Sequence, residues 1–198
     1  MLRRNGSVRS QWSALILTFP KLTLVLGGAA SGKSHFAEQL VSHSGLPRSY
    51  IATAQAFDSE MREKILEHQK DRGNDWNTIE APIAVPEVLQ TLPDHQITLV
   101  DCLTLWLTNL ILAENGTNPP AEDPATLFLA AASACNFPIV TVSNEVGHSI
   151  VPESALGRRF QRAQGRLNAR IAQHADLVVM VTAGLPQVLK GQLPEGLT

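Results

Sequence analysis

Residues 22–34 read LTLVLGGAASGKS, and this stretch decides the fold. Leu22 to Leu26 is a short uncharged run, the pattern of a strand buried on both faces. Gly27-Gly28-Ala29-Ala30-Ser31-Gly32-Lys33-Ser34 then matches G-x-x-x-x-G-K-[ST] at every specified position. From Ser34 to His43 the apolar residues Phe36, Ala37, Leu40 and Val41 fall at helical spacing, so a glycine-rich turn links a strand to a helix. Glycines let the backbone curl until several N–H groups point inward, and the positive end of the helix dipole reinforces them. Such a loop cradles the phosphates of a nucleoside triphosphate. Lys33 places a cation at the β- and γ-phosphates, and the Ser34 hydroxyl is suited to ligate Mg2+.

Working outward, apolar runs at 49–53, 97–101, 138–143 and 177–182 read as further strands, the last as the final one, with a short strand at 78–80. Between them the spacing predicts helices over 34–43, 58–72, 86–92, 103–112, 125–134 and 153–174. Asp58 is a suitable N-cap for the second of these, with Ser59 and Glu60 in its first turn. ENGTNPPAED (114–123) reads as a loop, broken by Gly116, Pro119 and Pro120. Strands that are apolar throughout and separated by helices imply an α/β fold of P-loop NTPase-like type, a mostly parallel sheet with helices on both faces. Residues 21–198 read as one domain and residues 1–20 as an N-terminal extension. Arg3, Arg4 and Arg9 ahead of Trp12–Phe19 look like a secretion signal, but Pro20 and Lys21 stand where a small-residue cleavage site belongs.

Composition narrows the function. The chain has 198 residues, 44% of them hydrophobic and 17% charged, which supports a buried core and argues against disorder. Sixteen Lys and Arg against eighteen Asp and Glu give a net charge of −2, unlike the basic surface of a dedicated nucleic-acid binder. The two cysteines, Cys102 and Cys135, cannot form a disulfide scaffold, so a reducing cytoplasm is the simplest setting. No apolar run reaches the roughly 18–20 residues that would span a membrane.

Three further features bear on chemistry. Asp101 ends the strand 97–101, where the acidic partner of a phosphate loop holds Mg2+ or its water; it also suits the N-cap of the next helix. Glu145, at another strand end, is a rival for the metal. His68 lies at i+3 from Ile65 and i+7 from Met61, on the apolar face of its helix, four residues before Arg72. An imidazole held against the core beside a cation favours its neutral, nucleophilic form, although a buried histidine that merely donates to a carbonyl fits the same spacing. Arg158, Arg162, Arg166 and Arg170 recur every four residues, a stripe fit for phosphates, for a neighbour's acidic surface, or simply for solvent.

Several blocks occur together: GGAASGKS (27–34), YIATAQ (50–55), MREKILEHQKDRGNDW (61–76), VDCLTLWLTNL (100–110), SNEVGHSIVPE (143–153), GRLNAR (165–170) and GLP (184–186). In them the chain resembles the bifunctional adenosylcobinamide kinase / adenosylcobinamide-phosphate guanylyltransferase family of cobalamin biosynthesis. The resemblance implies that ATP or GTP phosphorylates adenosylcobinamide, with Mg2+ as cofactor. It also implies that GTP then gives GMP to an enzyme histidine, which passes it to adenosylcobinamide phosphate to form adenosyl-GDP-cobinamide. The family's guanylylated histidine sits in an H-x-x-x-R block that maps onto His68–Arg72, making His68 and Lys33 the catalytic candidates. Further GTP contacts implied by the resemblance fall at Ala52, Thr53 and Ala54, at Gln69, Lys70, Asp71 and Arg72, and at Glu80 and Asp101. Ser149 and Ala30 depart from the family, where a glycine and an arginine are common. The resemblance further implies a homo-oligomer, a trimer. Two rivals are a small-molecule kinase without guanylyl transfer and a nucleotide-binding module without turnover.

Overall fold

In the computed structural model, which describes residues 19–55, 75–113 and 122–197, the strand preceding the glycine-rich turn is β1 (Leu22–Gly27). All six of its residues are buried, which is why the run carries no charge. Around it lie β2 (Arg48–Ala52), β3 (Trp76–Glu80), β4 (Ile97–Asp101), β5 (Ile139–Asn144), β6 (Leu177–Thr182) and β7 (Leu185–Lys190). The sheet order is β3-β2-β4-β5-β1-β6-β7, parallel throughout except for the antiparallel β6–β7 pair.

Alternation along the strands sorts the core into two layers. Leu22, Leu24 and Leu26 face α2 (Val85–Thr91), α3 (Leu103–Ala113), α4 (Pro124–Ala134) and α5 (Ala155–His174). Val25 faces the other way, toward Phe36, Ala37, Leu40 and Val41 of α1 (Lys33–His43). Helices therefore cover both faces, as the apolar strands require. Phe19 is already buried in the α1 layer.

Helix starts follow local chemistry. Asp123 caps α4, its carboxylate accepting from the Thr126 N–H at 3.0 Å, and Pro124 follows it. Ser154 caps α5 through Gly157 N–H at 3.0 Å, so this helix begins two residues after the position the spacing suggested. By contrast α1 begins after Gly32, in a left-handed conformation, with no side-chain cap. Its first N–H groups are left for an anion.

One strand lies outside the sequence expectation. The sheet does not end at β6 but continues into β7 through a two-residue turn, Ala183-Gly184, with φ of 52° and 79°. Both values are those a type I′ hairpin turn demands. Pro186 obscures the strand in the sequence but is tolerated because β7 is an edge. The helix expected over 58–72 and most of the 114–123 loop lie outside the described residues.

Connectivity fixes where a ligand can sit. The chain leaves β1 through α1 to reach β2 on one side, whereas β5 leads through α5 to β6 on the other. The carboxyl ends of β1 and β5 flank the point where the direction reverses, the crevice open α/β sheets use for ligands.

The α2–α5 layer depends on large side chains. Phe128 is fully buried and its ring lies 6.1 Å from that of Trp106, whose indole N–H donates to Ile83 O at 2.8 Å. Phe128→Ala is expected to lower the unfolding free energy by about 3–5 kcal/mol in urea titrations. Leu189→Ala, on the exposed edge strand, should shift it by about 0.5 kcal/mol or less.

Candidate active site

The phosphate loop is shaped by backbone crowding. A Cβ on Gly27 would collide with Ser31 Oγ and lie 2.7 Å from Val181 O in β6, so only glycine fits there. Ala30 and Gly32 both have positive φ, 53° and 89°, which turns successive N–H groups toward the same concavity. The β6–β7 turn braces the loop: Gly184 N–H donates to Ser31 O at 2.8 Å, and a Cβ on Gly32 would approach Gly184 Cα to 3.2 Å. Gly28, Ala29 and Ala30 are exposed at the rim. Lys33 Nζ donates to Gly28 O at 3.0 Å, holding its charge across the loop.

A row of side chains continues from this loop along the carboxyl edge. Ala52 pairs with Glu80 on one side and Asp101 on the other, while Gly27 pairs with Asn144. Glu80, Ala52, Asp101, Asn144 and Gly27 thus end neighbouring strands of one edge. From β3 to β1 is four strand spacings, about 19 Å at ~4.8 Å each. Glu80 is exposed, and Ala52, Ala54 and Asp101 are partly so. Thr53 is fully buried: its hydroxyl donates to Cys102 O at 2.8 Å and accepts from Cys102 N at 2.7 Å. This latch ties the end of β2 to the end of β4.

Asp101 is oriented by Tyr50, whose hydroxyl donates to Oδ2 at 2.9 Å. Burial, and next the Asp101 carboxylate, push the Cys102 thiol up to about 11, while Lys33 pulls the other way. Asp101 ends β4, two strands from the end of β1, where the loop carrying Lys33 begins. Mg2+ accepts one or two protein oxygens and takes its remaining ligands from phosphates and water. Ser34 and Asp101 offer such a hard-oxygen pair, and only one Asp101 oxygen is engaged by Tyr50. Among the described residues no group of three or more His, Cys, Asp or Glu could hold a metal alone. Glu145 is tied into its own loop, its Oε1 accepting from Gly147 N–H at 2.6 Å.

Beside the loop, Asn144 is held from both flanks. Its N–H donates to Thr104 Oγ1 at 2.8 Å from the start of α3, and its carbonyl accepts from Asn168 Nδ2 at 3.0 Å from α5. Asn168 Oδ1 in turn accepts from Ser143 Oγ at 2.7 Å and Gln164 Nε2 at 2.9 Å. Ser149 donates to Val146 O at 3.0 Å and accepts from Gln161 at 3.2 Å, closing its loop onto α5.

The structure thus gathers residues 27–34, Ala52, Ala54, Glu80 and Asp101 along one edge, with Thr53 as an internal strut. His68, Gln69, Lys70, Asp71 and Arg72 lie outside the described residues. Tyr50, Thr104, Asn168 and Gly184, to which the sequence assigns no role of their own, position this edge. Gly184 alone had a readable signal, a glycine just beyond a strand end.

Residues 23–189 match the family described as cobinamide kinase / cobinamide phosphate guanyltransferase. The chain is 44% identical over 170 residues to the bifunctional adenosylcobalamin biosynthesis protein CobP of Pseudomonas aeruginosa, covering 85% of this chain and 97% of that one. It is 37% identical over 183 residues to the bifunctional adenosylcobalamin biosynthesis protein CobU of Salmonella typhimurium, covering 85% of this chain and 99% of the relative. The corresponding Escherichia coli protein is 35% identical over 181 residues, with the same coverage. Matched across a phosphate loop, an acidic strand edge and nearly the whole sheet, the chain belongs to the cobinamide kinase / cobinamide phosphate guanyltransferase family.

Proposed function

We propose that this chain is a bifunctional enzyme of cobalamin biosynthesis, phosphorylating adenosylcobinamide and then guanylylating the product. The observation that carries the reading is the carboxyl edge, where an uncapped helix start bearing Lys33 shares one row with Asp101 and an exposed Glu80. A triphosphate seated in the loop directs its base along the row toward Glu80. Lys33 and the free N–H groups of α1 stabilise charge that develops on the transferring phosphoryl oxygens. Ser34 and Asp101 would hold Mg2+, which supplies further charge neutralisation when bound.

For the second reaction we assign His68 as nucleophile. A neutral ring nitrogen attacks the α-phosphorus of GTP, an N–P bond forms, and the bond to the β-phosphate oxygen breaks to release pyrophosphate. An oxygen of the acceptor phosphate then displaces the imidazole, leaving a phosphoanhydride. The segment carrying His68 departs from Gln55, just beyond the carboxyl end of β2, which supports this role. Gln69, Lys70, Asp71 and Arg72 follow as GTP contacts, together with Ala52 and Ala54, while the buried Thr53 supports them from within. Cys102 and Cys135 are free and buried, which suits a reducing cytoplasm, and no described helix is long and apolar enough to cross a membrane. The assembly is a homo-oligomer, for which we propose a trimer.

Incubation with α-32P GTP and Mg2+ tests the covalent step. The protein is expected to take up acid-labile, base-stable label, γ-32P GTP should leave none, and His68→Ala should lose the label while still phosphorylating cobinamide. Label surviving in His68→Ala would move the nucleophile elsewhere. Lys33→Ala should reduce kcat/KM for both reactions by about 10²–10³ in steady-state assays. Tyr50→Phe should raise the Mg2+ concentration for half-maximal rate by about tenfold, with little change in KM for the corrinoid.

A further inference from the structure

α5 projects Arg159, Arg162 and Arg166 into a groove that the site described above does not use. The groove lies between α3, the start of α4 and α5, and has a volume of about 330 Å³. Its floor is apolar, formed by Leu107, Ile111 and Leu167, and its wall carries Arg159, Arg162 and Arg166. The lining acid, Asp123, caps α4 and pairs with Arg170. Arg158 is occupied by the carbonyls of Pro152 and Glu153, at 3.0 and 2.6 Å. Arg162 and Arg166 are exposed and make no hydrogen bond or ion pair among the described residues. Two cations one turn apart on a helix repel, and an anion held between them relieves that repulsion.

Position ties the groove to the chemistry. Leu107 lies one turn beyond Thr104 and Leu167 is next to Asn168, the two residues that hold the N–H and C=O of Asn144. The groove is therefore lined by the same two helices, α3 and α5, that hold the edge residue paired with Gly27. Guanidinium forks match a phosphate dianion in charge and geometry, and the apolar floor suits an uncharged carrier behind it. The nucleotide's own phosphates have a separate cradle in the loop after β1.

We propose that this groove binds the phosphate end of the phosphorylated corrinoid, so that Arg162 and Arg166 distinguish the acceptor of guanylyl transfer from the unphosphorylated acceptor of the kinase step. The assignment rests on the function proposed above. The volume is at the low end for small-molecule sites, enough for a phosphate and its short linker with the macrocycle outside.

The test compares wild type with Arg162→Gln/Arg166→Gln and Arg162→Lys/Arg166→Lys in the full chain. Kd for cobinamide phosphate by titration, and its KM in guanylyl transfer, should rise at least about tenfold in the glutamine variant and partly recover in the lysine variant. KM for unphosphorylated cobinamide and for GTP should stay within about twofold. An unchanged Kd for cobinamide phosphate, an equal loss for both corrinoids, or a loss confined to GTP overturns the assignment. Should the glutamine variant unfold, the lysine variant decides by the same measurements. Failure of the wild-type protein to transfer GMP would count against the proposed function instead, and the cobinamide phosphate titration would still decide the groove.

Discussion

The carboxyl edge of this sheet depends on one close approach of backbone to backbone. Gly27 has no room for a side chain because Ser31 and the Val181 carbonyl stand against it, and Gly32 is similarly crowded by Gly184. The loop is therefore pressed between the end of β1 and the β6–β7 turn, and its donors are turned into the concavity it encloses. An uncapped helix start is a cost in an empty protein and an advantage once an anion arrives. Lys33, resting on the Gly28 carbonyl, is held close to where that anion would lie.

The rest of the edge is stiffened by polar contacts that cross between strands and helices. Thr53 exchanges two hydrogen bonds with Cys102, and Asn109 donates to Thr53 O at 2.8 Å, so the end of β2 is fastened to β4 and α3 together. Asn144 is gripped by α3 and α5 through Thr104 and Asn168. Breaking any of these bonds would strand a polar group in a low-dielectric interior, which favours a single arrangement. Asp101, Asn144 and Gly27 thus keep fixed mutual positions.

Much of this was legible in the chain. The match at 27–34 lies between a period-free apolar run and a helical one, which leaves little choice of fold, and Asp101 stands where a strand must end. What escaped reading was long-range. Tyr50 reaches an acid 51 positions away, and Asn168 reaches a carbonyl 24 positions away, and neither pairing leaves a local pattern. β7 escaped for another reason: an exposed edge strand needs no apolar alternation, and Pro186 argues locally against one. The arginine stripe was visible as spacing, but the groove it lines appears only when α3 and α4 pack beside it.

The sulfur beneath Asp101 has a fate of its own. With its thiol pushed up to about 11 by burial and the neighbouring carboxylate, Cys102 stays protonated at neutral pH, and it is buried besides. Oxidants and electrophiles attack the thiolate, so a cysteine placed next to the acid of the active edge is nonetheless shielded from poisoning. Phosphates drawn to Lys33 would offset a cation that eases its ionisation.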